Sequence, residues 1–388
     1  MKILVVGGTF DENKGKRSTL IQTLIDSLVS INGEISYRNG GSYDELNHLL
    51  EDNVKEHDVV FWMPNVPNHL PKIRDVKKVA PYTLLVSSKR NDNNKYSFKE
   101  LVNHALSLKA NLTFEFKKQE NGRFKISLFD PLGCMWYEGQ DMVSAATAAF
   151  ERLKFLLNIT RNKTYQSEQA KELVLAYYFD RFQEHMEQSE EDVKIPKEDE
   201  FTQFVDIIKE HAEQFQKIMQ PPKNVERFLG NASIRPPQVG RCSKGMPSFR
   251  KGKYIFVSQR NIDKQFISIE NFVPSYIENG KVFYCGNDKP SVDTPVQLRL
   301  YERMPKINFM IHSHCYILGA PFTEVCYPCG AIEEVDEICK TLKKAHGLLD
   351  LSYYTINLIG HGSIVFASDV DTLRSVKYYG RPIPEKMF

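Results

Sequence analysis

Ile307-Asn308-Phe309-Met310-Ile311-His312-Ser313-His314 is an apolar run that ends in two histidines two residues apart. Side chains alternate along a strand, so His312 and His314 fall on one face, within reach of a single metal ion. A second strand-like run, Tyr354-Thr355-Ile356-Asn357-Leu358-Ile359, leads into Gly360-His361-Gly362. Three neutral imidazoles plus an open position is how a catalytic zinc is held, in contrast to a closed structural site. The His-x-His pattern is short, and two polar residues at a strand end also account for it.

What precedes the histidines is more specific. Gly230-Asn231-Ala232-Ser233-Ile234-Arg235 is followed by Tyr254-Ile255-Phe256-Val257-Ser258. Then come Lys289-Pro290-Ser291-Val292-Asp293-Thr294-Pro295 and the helix-like Val296-Gln297-Leu298-Arg299-Leu300-Tyr301. This order resembles the class II aldolase/adducin family. Its pattern is Gly-Asn-x-Ser-x-Arg, a short strand with a Thr/Ser loop, Pro-Ser-Ser-Glu/Asp, His-x-His and a late His-Gly. Each motif is weak alone; all of them in the right order are specific.

The resemblance implies an α/β/α domain holding Zn2+, or another divalent metal, on His312, His314 and His361. In that family the metal charge stabilises the negative charge that develops as a carbon–carbon bond of a ketose phosphate breaks. The acid/base carboxylate is Asp293 by position, and a carboxylate beside a dication titrates low, as a base. Standing just before Thr294-Pro295, Asp293 also reads as an ordinary helix N-cap. Substrate phosphate falls to Asn231, Arg260, Asn261 and Ser291, with Asn231 also readable as a turn residue. Two departures stand out: Arg260-Asn261 replaces the family's Thr-Gly, and Val292 replaces its second serine. Arginine grips anions in bidentate fashion, so anion binding survives although the anion can differ. The tail tyrosines Tyr378 and Tyr379 are candidates to protonate the leaving oxyanion, or to pack the final element.

Three functions stay open on this reading. The first is an aldolase-type lyase acting on a sugar phosphate or related hydroxy-keto compound. The second is a 4-epimerase using the same bond-breaking chemistry, since Asp293-Thr294-Pro295 matches that branch; against it, Cys315 to Glu333 contains no aspartate. The third is an adducin-like assembly module, which the retention of all three histidines disfavours. Family sites lie between subunits of a tetramer, so a homo-oligomer is expected.

Composition bounds the remainder. A chain of 388 residues can bury two cores. With 41% hydrophobic and 26% charged residues and a net charge of +2, neither nucleic acid nor membrane is an expected partner. Lys72 to Lys78 reads as a solvated helix face, and no apolar run reaches the roughly 18 residues of a membrane span. The seven cysteines are scattered and odd in number, which argues against a disulfide framework and for a cytoplasmic location. Cys326-Tyr327-Pro328-Cys329 has CxxC spacing, but there is no second CxxC, and structural cysteines are the expectation.

The first stretch, 1–160, alternates strands (Lys2 to Val6, Asp58 to Trp62, Thr83 to Val86) with helices (Ser18 to Ser30, Tyr43 to Glu56, Ser97 to Leu108). That predicts a doubly wound, Rossmann/flavodoxin-like parallel sheet. A hairpin over Leu112 to Phe116 and Phe124 to Leu128 and a helix over Met142 to Leu157 close it. A helical connector is expected over 161–195, with Pro221-Pro222 ending a later charged helix, and the aldolase-like domain over 196–388. Gly7-Gly8, directly after the first strand, stands where α/β sheets cradle phosphate, so a nucleotide-like or other anionic ligand is expected there, or else a scaffold. The loop is neither a Walker motif nor GxGxxG.

Overall fold

The computed structural model describes residues 1–67, 69–81, 83–161, 184–219, 230–236 and 252–380. The chain divides into two units, Met1–Arg181 and Phe182–Phe388.

The first unit runs β1 (Ile3–Asp11), α1 (Thr19–Asn32), β2 (Ser36–Ser42), α2 (Tyr43–His48), β3 (Val59–Asn65), α3 (Ile73–Val79), β4 (Leu84–Arg90) and α4 (Phe98–Leu108). It continues with β5 (Leu112–Lys118), β6 (Phe124–Phe129), β7 (Met135–Gly139) and α5 (Met142–Arg161). The sheet order is β2-β1-β3-β4-β5-β6-β7. β1 to β5 pair in parallel, and β6 and β7 add antiparallel. This is the doubly wound, flavodoxin-like order. Its central strands are apolar on both faces, as Val5, Val6, Val60, Phe61, Leu85 and Val86 show by their burial.

Three details differ from the sequence reading, one of them β7, a short strand that adds antiparallel beside β6. β2 went unseen because Ser36-Tyr37-Arg38-Asn39-Gly40-Gly41-Ser42 has no apolar alternation; it is an edge strand held by its ladder to β1. The helix expected over Tyr43 to Glu56 stops at His48 and loosens into a π turn, Leu49–Asn53, and a 3-10 turn, Val54–Glu56.

The second unit runs β8 (Met186–Ser189), α6 (Asp199–Met219), β9 (Asn231–Ile234), β10 (Ile255–Ser258), β11 (Phe272–Glu278), β12 (Lys281–Cys285) and α7 (Thr294–Arg303). Then follow β13 (Phe309–Ser313), β14 (Tyr316–Ile317), α8 (Glu334–His346), β15 (Tyr353–Leu358), β16 (Gly362–Ala367) and β17 (Tyr378–Gly380). Eight strands form one sheet, β15-β16-β13-β9-β10-β11-β12-β8, while β14 and β17 pair separately. On one face α6 buries Phe201, Phe204 and Ile208 against Phe256, Phe272 and Phe309. On the other, α7 and α8 bury Leu300, Ile338 and Leu342 against Met310, Ile356 and Phe366. The result is an α/β/α sandwich, with β13 an interior strand, third from the β15 edge of the sheet.

The helical connector expected over 161–195 is corrected at its end. Met186–Ser189 is a strand, paired in parallel with β12. A polar four-residue edge carries no apolar pattern; the open ladder of β12 holds it. Residues 162–183, Pro221-Pro222 and Arg381-Pro382 lie outside the described residues. Among the described residues no helix is long and apolar enough to cross a membrane.

Candidate metal centre

Two ladders flank His312. It sits opposite Asn231 of β9 on one side and Ile364 of β16 on the other. His314 follows one residue beyond β13, and His361 occupies the turn that opens β16. Gly362 is what allows that turn to close: at φ 158° it lies so near the preceding strand end that a Cβ would stand 2.0 Å from the Ser313 carbonyl oxygen and 2.7 Å from the His314 Cα. The glycine of the late His-Gly motif therefore brings His361 onto the His-x-His strand.

The candidate ligand atoms of His312, His314 and His361 all lie within 4.8 Å of one another, and all three residues are buried. Ring centroids are 4.7 to 5.0 Å apart. His312 Nδ1 lies 2.9 Å from the Ser363 carbonyl oxygen, which can only accept, so Nδ1 carries the proton and Nε2 the lone pair. Burial, and then the neighbouring His361, pull His312 down to about 4, leaving it neutral at pH 7. The Nε2 atoms of His312 and His361 are buried and have no hydrogen-bond partner among the described residues. Two orphaned imidazole nitrogens beside a third ring fit a divalent cation, which would satisfy them.

His361 Nδ1 faces Glu334 Oε1 at 3.4 Å. Burial pushes the Glu334 carboxyl up. Burial pushes His361 down, but Glu334 and Asp293 more than offset it, and the net direction is up.

Asp293 stands before α7 yet makes no side-chain capping bond. Its carboxylate turns inward instead. Oδ2 accepts from Asn231 Nδ2 at 2.6 Å and lies 3.9 Å from His312 Nε2, while Oδ1 accepts from Cys329 Sγ at 3.3 Å. The amide oxygen of Asn231 accepts in turn from Gln297 Nε2. Asn231 is thus a strand residue engaged on both ends of its amide, not a turn residue.

The loops carrying the other expected anion contacts are joined to each other. Ser291 N donates to Ser258 O at 3.0 Å, Arg260 N to Lys289 O at 2.9 Å, and Arg260 Nε to Pro290 O at 3.4 Å. Asn261 takes a left-handed turn conformation, φ 59°. Ser291 Oγ accepts from Asp293 N at 3.4 Å.

Tyr378 and Tyr379 lie on β17, against β14 just after His314. The Tyr378 hydroxyl is 3.0 Å from His211 Nδ1 and its ring packs edge-on to His211 and Phe215; burial drives its hydroxyl well above the ordinary range. Tyr379 lies beside Tyr316, ring centroids 6.2 Å apart, and the Tyr316 hydroxyl accepts from Gly360 N, next to His361.

Sequence reasoning missed four residues here. Gln297 was findable, being one helical turn after Asp293. Cys329 read as structural, while Glu334 and Lys264 belong to no motif of the sequence and drew no reading. Lys264 is buried, and burial pulls it down to about 8 despite the opposing pull of Asp263 and Asp293.

In the first unit Gly7 packs under Ile21, and Gly8, at φ 79°, lies so close to β2 that a Cβ would stand 2.6 Å from Gly40 N. Beside them a cleft of about 380 Å³ is lined by Asn13, Lys14, Arg17, Arg38, Gly40 and Ser42, among others.

Residues 214–321 match the family described as the class II aldolase and adducin N-terminal domain. Among solved structures the chain is similar to an L-fuculose 1-phosphate aldolase, at 16% identity and TM-score 0.32 over 46% of this chain and 82% of that one. The L-fuculose-1-phosphate aldolase from Thermus thermophilus shows 13% identity and TM-score 0.26, over 45% and 82%. A DNA/pantothenate metabolism flavoprotein from Streptococcus pneumoniae shows 13% identity and TM-score 0.31, over 40% of this chain and 99% of that one. No curated protein matches the chain.

Proposed function

We propose that this chain, whose residues 214–321 match the class II aldolase and adducin family, is a metal-dependent lyase of the aldolase type. Its substrate would be a sugar phosphate or a related hydroxy-keto compound, and its metal a zinc or similar divalent ion on His312, His314 and His361. The observation that carries the reading is the buried histidine trio with ligand atoms within 4.8 Å of one another. When bound, the cation supplies positive charge where negative charge develops on substrate oxygen as the carbon–carbon bond breaks.

The chain's own residues supply the proton chemistry. In retro-aldol cleavage the hydroxyl beside the scissile bond loses its proton, and the electrons of the bond move toward the neighbouring carbonyl. We assign that proton to Asp293, whose carboxylate faces His312 and is held by Asn231 and Cys329. The substrate anion falls to the joined loops of Arg260, Asn261 and Ser291. Asn231, first a phosphate candidate, supports that role only beside its bond to Asp293. Tyr378 is committed to His211, so the protonation of the leaving oxyanion falls to Tyr379. A tetramer with sites between subunits goes with the same reading. For the first unit we propose an anionic, nucleotide-like ligand in the cleft of Lys14, Arg17 and Arg38.

The test is a sugar-phosphate screen on the metal-loaded full chain, with a coupled assay for released aldehyde. Scrambled stereochemistry at one carbon without aldehyde would support the epimerase instead. Metal binding with no turnover on any sugar phosphate would support an assembly module.

A further inference from the structure

Glu334 opens the helix α8 and is 4% exposed, although carboxylates are seldom buried so fully unless something compensates them. The start of α8 does not need the side chain: Glu334 N is already bonded to Ala331 O at 3.1 Å. Among the described residues, the one side-chain partner its carboxylate has is His361 Nδ1, at 3.4 Å. The opposite nitrogen of that ring, Nε2, is buried and without a hydrogen-bond partner, and it faces the cluster of His312 and His314. His312 shows the same arrangement with a neutral acceptor, the Ser363 carbonyl behind its Nδ1.

We propose that Glu334 is the positioning residue of the metal centre. It accepts the Nδ1 proton of His361, fixes the tautomer with its lone pair on Nε2, and makes that nitrogen a stronger donor than the carbonyl-backed His312. The inference rests on the metal reading of the histidine trio. Nothing in the family pattern of the sequence marks Glu334, which lies outside the matched residues 214–321. A carboxylate behind a ligating imidazole both orients the ring and raises its basicity, and removing such a partner weakens metal affinity by roughly 10- to 100-fold.

The decisive experiment uses the full chain, zinc and a competing chromophoric chelator. Wild type should bind about one zinc per chain, as expected for one site of this kind. Glu334→Gln, which keeps the shape and can still accept from Nδ1 but lacks the charge, should bind on the order of 10-fold more weakly. Glu334→Ala, losing orientation too, should fall further, and Glu334→Asp should recover part of the loss. With cobalt in place of zinc, the visible ligand-field spectrum of Glu334→Gln should shift, which a merely structural carboxylate would not cause. Nitrogen NMR of the imidazole-labelled wild type supplies a readout that needs no variant: metal-free His361 should carry its proton on Nδ1. Equal zinc affinity in Glu334→Gln and wild type, or an Nε2-protonated His361, would overturn the proposal while leaving the metal centre intact. Wild type that binds no zinc or cobalt would remove the metal reading and this inference together.

Discussion

Asn231 donates its side-chain amide to Asp293 Oδ2 at 2.6 Å, and the same oxygen lies 3.9 Å from His312 Nε2. Asn231 and His312 are register partners on adjacent strands, while Asp293 comes from the loop before α7. One short amide bond therefore fixes where a carboxylate stands relative to an imidazole. The carboxylate makes no helix-capping bond, so its position serves the histidines and not the start of α7.

That relationship predicts what happens when the charge is removed. Asp293→Asn should leave the fold and bound metal in place while lowering turnover by ~10²–10⁴-fold, the weight of a positioned acid/base group. Turnover on the cognate ketose phosphate, with metal content measured on the same sample, checks it. Normal turnover would reduce Asp293 to a structural residue.

Asn231 offers a finer distinction. If it chiefly holds Asp293, Asn231→Ala should lower kcat by about 10-fold or more and change KM little, because a lost transition-state group acts on kcat. If it chiefly grips the substrate anion, KM should rise with kcat nearly kept. Steady-state kinetics separates the two.

The metal assignment stands or falls with His314. Its replacement by Ala removes one of three imidazoles without touching the two β13 ladders that hold His312. The variant should lose most of its metal, about one ion per chain in the parent. Its circular dichroism should stay near that of the parent. Retention of the full metal content would show that His314 is no ligand.

The sequence made the two ends of this site legible to different degrees. His312, His314 and His361 could be read because strand alternation and a flanking glycine are local patterns, and Gly362 does pack against Ser313 and His314 as such a glycine must. Glu334 and Cys329 could not, since their contacts join segments far apart in the chain, Glu334 to His361 and Cys329 to Asp293. The same division runs through the fold. Apolar strands such as Val59–Asn65 announced themselves, whereas β2 and β8 are polar edges held by backbone ladders, which leave no side-chain signature.

His211 gives a pH dependence whose sign can be worked out. Burial holds it below its ordinary value of 6.5, despite the bond to the Leu373 carbonyl. The unfolded chain therefore binds more protons just below pH 6.5 than the folded one. Stability is full above that pH and declines as pH falls. Melting temperature should drop between pH 7 and 5, and His211→Gln should flatten part of that slope by removing the titrating ring. An unchanged slope would show that other groups carry it.

The first unit supplies the last test. Lys14 and Arg17 line a cleft with Arg38, and Arg38 already pairs with Glu45 at 3.5 Å. A phosphorylated ligand there would find Lys14 and Arg17 in the lining together with the Arg38–Glu45 pair. The glycines of β1 serve the walls of this cleft: Gly8 is pressed against Gly40, so a side chain at 8 would push β2 away. Ligand in excess should raise the melting temperature by mass action, worth about 2.7 kcal/mol at 100 times Kd. A screen of nucleotides and sugar phosphates by thermal shift reads this directly. Arg17→Ala should abolish the shift without lowering the melting temperature of the ligand-free protein. Gly8→Val should abolish it and also destabilise the unit. If no phosphorylated compound shifts the parent, the cleft is not an anion site and the unit is a scaffold.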